Sequence, residues 1–215
     1  MSKPLRIDFV SDVSCPWCII GLKSLETALD RLDGEVAAEL HFQPFELNPA
    51  MPPAGQDIVE HIAQKYGSSA AQIDANRENI RARGEQLGFT FRMDKRGRIY
   101  NTFDAHRLLH WAELEGRQAA LKHALFEAYF TDGKNPGDHQ VLVELAQRVG
   151  LDGERARAIL ASDTYADEVR AQERFYTDRG IHSVPAIIIN DRHLISGGQP
   201  PEVFEQALRQ IATAA

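Results

Sequence analysis

Leu5 to Val10 (Leu, Arg, Ile, Asp, Phe, Val) alternates apolar and polar residues at a period of two, which predicts a strand. After Ser14-Cys15-Pro16 the period changes. Trp17, Ile20, Leu22, Leu25, Ala28, Leu29 and Leu32 follow helical spacing, and Asp33-Gly34 ends the run. A second alternating segment, Ala38 to Leu47, carries Leu40, Phe42 and Phe45 and stops at Asn48-Pro49 and Pro52-Pro53. Strand, helix, strand is the opening of a βαβ unit.

From about Asp57 to Arg179 amphipathic helical stretches predominate, near Ile58 to Tyr66, Ala70 to Leu87, Phe103 to Glu115, Gln118 to Phe130, His139 to Val149, Gly153 to Leu160 and Thr164 to Asp178. Glycines sit at or near their ends, as C-caps and linkers do. Phe89 to Met93 reads equally as a strand or a loop. After Gly180 the strand pattern returns in Pro185 to Ile189, followed by the turn Asn190-Asp191, an apolar segment His193 to Ile195 and Gly197-Gly198. A last helix, Pro201 to Ile211, places Val203, Phe204, Ala207, Leu208 and Ile211 on one stripe. The simplest assembly is an α/β fold: residues 1–54 and 180–215 share one mixed central sheet with flanking helices, and residues 55–179 form an inserted all-helical domain.

Composition narrows the function. With 215 residues, 43% hydrophobic and 26% charged, the chain has material for a sizeable core and none of the bias of a disordered protein. A net charge of −7, with acids and bases interleaved, leaves no basic face for nucleic acid. No run approaches the roughly 18 apolar residues of a membrane span. The polar start, Met1 to Arg6, leads straight into the first strand without the pattern of a secretory signal, so a cytoplasmic protein is expected.

Both cysteines fall in Cys15-Pro16-Trp17-Cys18. A bridge closing so short a loop constrains the unfolded chain little, so reactivity explains the pair better than stapling does. The thiolate is the nucleophile in thiol chemistry, and a helix N-terminus favours negative charge on it. Pro16 suits the first helical turn, where its missing N–H costs nothing; it holds Cys15 at the exposed end of the helix with Cys18 one turn inside. Cys15 is therefore expected to be the accessible, acidic thiol, in the range of roughly 3.5 to 7.5 for such sites. Cys18 is expected to release the mixed disulfide, with Trp17 as a flat surface for substrate. The alternative use of this motif is zinc, with His106 and His110 at i, i+4 as further ligands; with one Cys-x-x-Cys and the histidines far away in sequence, redox chemistry is the better reading, and no metal is expected.

At Ser183-Val184-Pro185 a proline opens an apolar strand, a position where its missing donor is tolerated; taken alone this is a plain strand start. In Asn101-Thr102-Phe103-Asp104-Ala105-His106-Arg107-Leu108, Asn101 or Thr102 is a sensible N-cap, with Asp104 favourable in the first turn. Asp8 and Asp12, near the cysteines, are candidates to accept a proton from Cys18, but read better as ordinary strand and loop residues.

The segment Asp12-Val13-Ser14-Cys15-Pro16-Trp17-Cys18-Ile19-Ile20-Gly21, with Ser183-Val184-Pro185, resembles the DsbA-like thioredoxin family. The Asn101 to Leu108 stretch and Gly197-Gly198-Gln199 resemble its cytosolic FrnE-like branch, and the similarity spans essentially the whole chain. The resemblance implies a thioredoxin fold interrupted by a helical domain, a cis-proline at Pro185 facing Cys15, and dithiol–disulfide exchange. It also implies that the helix starting near Asn101 roofs the site, so that Pro16, Trp17, Asn101, His106, Val184 and Pro185 meet substrate.

Three functions follow. The first is a thiol-disulfide oxidoreductase acting on polypeptide or small thiols, with no tightly bound cofactor and with glutathione open as a redox partner. The second is a glutathione-dependent isomerase of the 2-hydroxychromene-2-carboxylate or polyketide type. Kappa-class glutathione transferases belong to the same superfamily, but those relatives generally carry serine where Cys15 stands. The third is a non-catalytic holdase using an apolar groove. Monomer and homodimer both remain open.

Overall fold

The computed structural model describes residues 4–214. Its elements run β1 (Leu5–Ser11), α1 (Pro16–Arg31), β2 (Ala38–Pro44), β3 (Gln56–Asp57), α2 (Ile58–Tyr66), α3 (Ala70–Gln86), β4 (Arg98–Ile99), α4 (Phe103–Leu114), α5 (Gln118–Phe130), α6 (His139–Arg148), α7 (Gly153–Leu160), α8 (Ala166–Thr177), β5 (Ala186–Ile189), β6 (His193–Ser196) and α9 (Pro201–Ala214). The main sheet has the order β2-β1-β5-β6. β1 and β2 are parallel, whereas β5 pairs antiparallel with both β1 and β6. This mixed sheet with helices on its faces is the thioredoxin fold. The long helical region between its two halves makes the molecule mostly helical.

The period-two pattern sorts the strands onto two faces. Leu5, Ile7 and Phe9 of β1 join Ile187 and Ile189 of β5 in a core completed by α1 and by Phe204, Leu208 and Ile211 of α9. Val10, Ala186 and Ile188 face the other way, toward Phe45, Tyr176 and Ile181. β1 is thus buried on both sides, which is why Asp8 in its middle needs partners: Arg6 and Gln43 each donate to its carboxylate at 2.7 Å.

The inserted helices do not stand apart from this core. Ile80 of α3 and Phe126, Tyr129 and Phe130 of α5 pack into the same cluster as α1. A second cluster joins α4, α5, α6 and α7, and takes in Val13 from the loop that follows β1. That loop is therefore clamped between sheet and insert.

Two local expectations change, the extent of β2 and the all-helical character of residues 55–179, which hold the strand pair β3–β4; the open reading of Phe89 to Met93 is resolved. β2 stops at Pro44, opposite Ser11 at the end of β1, and Phe45 to Leu47 leave the sheet. There the backbone N–H of Leu47 donates to the Asp12 carboxylate at 2.8 Å instead of to a strand. Phe89 to Met93 is a loop whose Phe91 ring packs tightly against Gly84, while the short pairing of β3 with β4 is too brief to leave a periodic signal. No helix among the described residues is long and apolar enough to cross a membrane.

Candidate active site

The chain leaves β1 through Ser11 to Ser14 and enters α1 at Pro16, its first residue, with Cys15 in the N-cap position in extended conformation. Pro16 starts a helix without losing a hydrogen bond, and the unpaired N–H groups of the first turn surround the Cys15 sulfur. Cys15 N–H donates to Asp12 O at 3.2 Å, and Cys18 N–H donates to Cys15 O at 3.1 Å. Neither cysteine is in a disulfide.

Opposite the helix start, the Val184–Pro185 peptide bond is cis. Cys15 Sγ lies 3.7 Å from the Val184 carbonyl oxygen. Gly197 and Gly198 close the same corner: a Cβ on Gly198 would meet the Trp17 carbonyl oxygen at 3.0 Å, so only glycine lets this turn approach α1 so closely.

Cys15 is only 4% exposed, which corrects the expectation of an accessible thiol at a bare helix end. It is reached through a cleft of about 600 Å³. Cys15, Pro16, Trp17, Ser183 and Val184 line one side, Phe45 to Asn48 another, and α2 and α3 wall it with Ile58, Lys65, Tyr66, Ile73, Arg77 and Ile80. Three cations (Lys65, Arg77, Arg96) and two histidines (His61, His182) line the cleft against one carboxylate, Glu46. Arg96 is buried, donates to the Ser14 carbonyl oxygen at 3.1 Å, and lies over the rings of Tyr129 and Phe130.

The two thiols are driven apart in acidity. The Cys18 S–H directed at Cys15 holds that thiol below its ordinary value, against burial that pushes it up; the N–H groups of Cys18 and Trp17 add to the lowering. Burial pushes Cys18 well above the ordinary value, and the negative charge of Cys15 pushes it further. The two positions thus shift the thiols in opposite directions, Cys15 down and Cys18 up.

Behind them lies Asp12, 1% exposed. Burial raises its pKa, but His106, with Nε2 3.7 Å away, and the N–H groups of Leu47 and Ser14 outweigh burial and keep it a carboxylate. His106 is thus 2% exposed beneath the site and does not line the cleft. Asn101 does not line it either. Its side chain accepts from Phe103 N–H at 2.9 Å and donates to Glu46 at 3.3 Å, capping α4 in place of Thr102, whose side chain makes no capping bond. Asn101 and His106, expected to meet substrate, thus make structural contacts and lie outside the cleft lining. Among the described residues no cluster of three His, Cys, Asp or Glu side chains is placed to hold a metal.

Sequence reasoning missed Arg96, Glu46 and the walls from α2 and α3. It also missed Lys122, a fully buried lysine on α5. Its one signal is that it interrupts the stripe Gln118, Phe126, Tyr129 and Phe130, whose members are all buried.

A thioredoxin fold with two free cysteines at the head of α1, faced by a cis-proline, defines the thiol-exchange class of thioredoxin-like proteins. The profile of the DSBA-like thioredoxin domain family matches residues 6–209, so this chain belongs to the DsbA-like thioredoxin family. It is 30% identical over 205 residues to the uncharacterised protein YwbO of Bacillus subtilis (strain 168), covering 95% of this chain and 96% of that one. It superposes on the probable DsbA oxidoreductase SCO1869 of Streptomyces coelicolor with a TM-score of 0.89 at 39% identity, over 98% of this chain and 90% of that one. Two structures share the fold at lower identity. A 2-hydroxychromene-2-carboxylate isomerase matches with a TM-score of 0.68 at 17% identity, over 98% and 99% of the two chains. The cytosolic disulfide reductase DsbM of Pseudomonas aeruginosa, solved with GSH, matches at 0.64 and 19%, over 97% and 99%.

Proposed function

We propose that the protein is a thiol-disulfide oxidoreductase of the cytoplasm in which Cys15 attacks and Cys18 resolves. The observation that carries this reading is the split in acidity between two free thiols placed at one helix start, with Cys15 against the Val184 carbonyl at the floor of the cleft. The Cys15 thiolate attacks a substrate disulfide, forming a mixed disulfide and releasing one substrate thiolate. Cys18 then displaces the second, leaving the Cys15–Cys18 disulfide. An electron donor must return the dithiol.

The walls formed by α2 and α3 favour a small or extended substrate over a folded surface. The excess of cations along the cleft suits an anionic thiol, and glutathione is the redox partner that best combines small size with carboxylates. The relation between this fold and glutathione in DsbM agrees with that choice. The neighbouring isomerase motivates the second reading, glutathione-dependent isomerisation, which has no use for Cys18.

The test is disulfide reduction by wild type beside Cys15→Ser, on insulin with glutathione or a thioredoxin system as electron source, and on glutathione disulfide with the thioredoxin system. Activity in wild type and its loss in the variant are expected. Equal inactivity of both on every substrate would overturn the reading and make the isomerase assay decisive.

A further inference from the structure

The two helices that wall the cleft are held very differently. α3 buries Ile73, Ile80 and Gly84, and its Arg83 donates to the Gly198 carbonyl oxygen at 2.9 Å. α2 has nine residues, of which Ile58 alone is buried. Its first turn is fixed by the short pairing of β3 with β4 and by the Ile58 N–H, which donates to the Gly97 carbonyl oxygen at 3.1 Å. Its far end, where Gly67 turns the chain at a φ of 66°, buries no side chain. Among the described residues, the hydrogen bonds that the second half of α2 makes beyond residues 56–67 both come from Lys65, whose ammonium donates to the Leu47 carbonyl oxygen and to Asn48 Oδ1, each at 2.7 Å.

Both acceptors belong to the facing wall of the cleft, and that wall is fixed to the active-site turn. The Leu47 N–H donates to Asp12 at 2.8 Å, and the same carboxylate accepts from the N–H of Ser14, the residue before Cys15, at 3.2 Å. Lys65 is exposed whereas Cys15 is 4% exposed, so the bridge stands at the mouth of the cleft with the thiol below it. Bonds from a solvated ammonium contribute modestly and break readily. We propose that Lys65 is a specificity-determining residue that sets a size limit: by bridging α2 to Leu47 and Asn48 it keeps the mouth narrow, so that a small disulfide enters directly while a polypeptide disulfide enters when the bridge opens. This rests on the thiol-exchange reading and deepens it. The charge of Lys65 is secondary here, since both of its acceptors are neutral; what matters is that one side chain spans two walls, only one of which is firmly held.

The test uses the full chain carrying Cys18→Ser, in which Cys15 is the one remaining cysteine. Its alkylation by N-ethylmaleimide is compared with alkylation by a maleimide borne on an uncharged dextran. The reactive head is the same and both reagents are neutral, so a change in Cys15 acidity or in local charge cancels in the ratio of the two rates. Lys65→Met is expected to raise the dextran-to-small ratio about fivefold, as loss of the bridge populates the open mouth. Hydrogen exchange is expected to quicken at the amides of residues 61–66 while those of α1 keep their protection. With both cysteines present, kcat/KM for insulin is expected to rise by a similar factor relative to that for the neutral bis(2-hydroxyethyl) disulfide. An unchanged maleimide ratio would overturn the proposal, as would faster exchange across α1 together with α2, which marks general loosening in place of a broken bridge. If wild type reduces no disulfide of any size, the thiol-exchange reading fails, whereas the maleimide ratio still decides whether Lys65 guards the mouth.

Discussion

Gly21 on α1 is pressed against Pro185: a Cβ there would stand 3.1 Å from Pro185 Cγ and 3.3 Å from Gly198 Cα, so a neighbour would have to give way by a few tenths of an ångström. The helix that carries the cysteines and the loop that faces them are packed in direct contact, and the backbone of Gly198 cannot swing aside as a flexible side chain would. Gly21→Ala and Gly198→Ala should each lower stability by about 1–3 kcal/mol, as overpacking does. Both should slow exchange, because Cys15 and Val184 move relative to each other. Urea unfolding alongside an exchange assay checks this, and an unchanged unfolding midpoint in both variants would contradict the packing.

The separation of the two thiols predicts selective chemistry. Alkylation of the reduced protein at neutral pH should modify Cys15 through the cleft and spare Cys18 until the protein is denatured. The reaction should persist at pH values below those at which an ordinary thiol reacts, since the Cys15 thiolate survives there. Peptide mapping of singly modified protein decides between the residues; equal labelling of both would refute the assignment.

Lys122 should cost stability. Its pKa falls from 10.5 to about 8 on folding, mainly through burial, so folding excludes a proton there. The cost is full below about pH 8 and disappears as pH rises through 10.5. Lys122→Met should therefore be more stable than wild type at neutral pH, by up to ~3 kcal/mol from a shift of this size. That gain should fade between about pH 8 and 10.5. Denaturant melts across this range test it, and a destabilised methionine variant at neutral pH would count against the cost assigned to the buried charge.

Asp12 should show the reverse dependence. Burial pushes its carboxyl up, but His106 and two backbone N–H groups hold it below 3.8, so its ionised form contributes stability above that value. This contribution is lost as pH falls through the lowered folded value. Asp12→Asn should cost about 1–3 kcal/mol at neutral pH by weakening the bonds to Leu47 and Ser14, and should flatten the acid limb of the stability curve. Removing its negative charge should also make Cys15 more acidic, since that charge raises the Cys15 pKa. Thiolate absorbance against pH in wild type and variant measures that second effect.

Asn101 should behave as a cap. Asn101→Ala should lower stability by about 1 kcal/mol through loss of the bond to Phe103 N–H, and leave KM for small disulfides within about twofold of wild type. A large rise in KM without loss of stability would instead place Asn101 in contact with substrate.

What the sequence determined by itself was local. The alternation in Leu5 to Val10, the change of period at Cys15-Pro16, the Val184-Pro185 strand start and the stripe in Pro201 to Ile211 are set by side-chain patterns within a few residues, and the elements they predict are present. The motif likewise marked Cys15 and Cys18 as chemically special, because proline at a helix start and thiols one turn apart have few other uses. What only the tertiary structure decided depends on residues distant in the chain. Asn101 and His106 lie near the site in the fold, yet Glu46 and Asp12 draw their side chains away from the cleft. α2 and α3 wall off Cys15 because Arg83 reaches Gly198, over Trp17, and Ile80 packs into the core around α1. Lys122 lies 80 positions from Phe42, and no periodicity reports that an inserted helix buries its charge over that ring of the sheet. Local structure follows from backbone and side-chain preferences over one or two turns, whereas the electrostatics of a buried site are the sum over every element that closes around it.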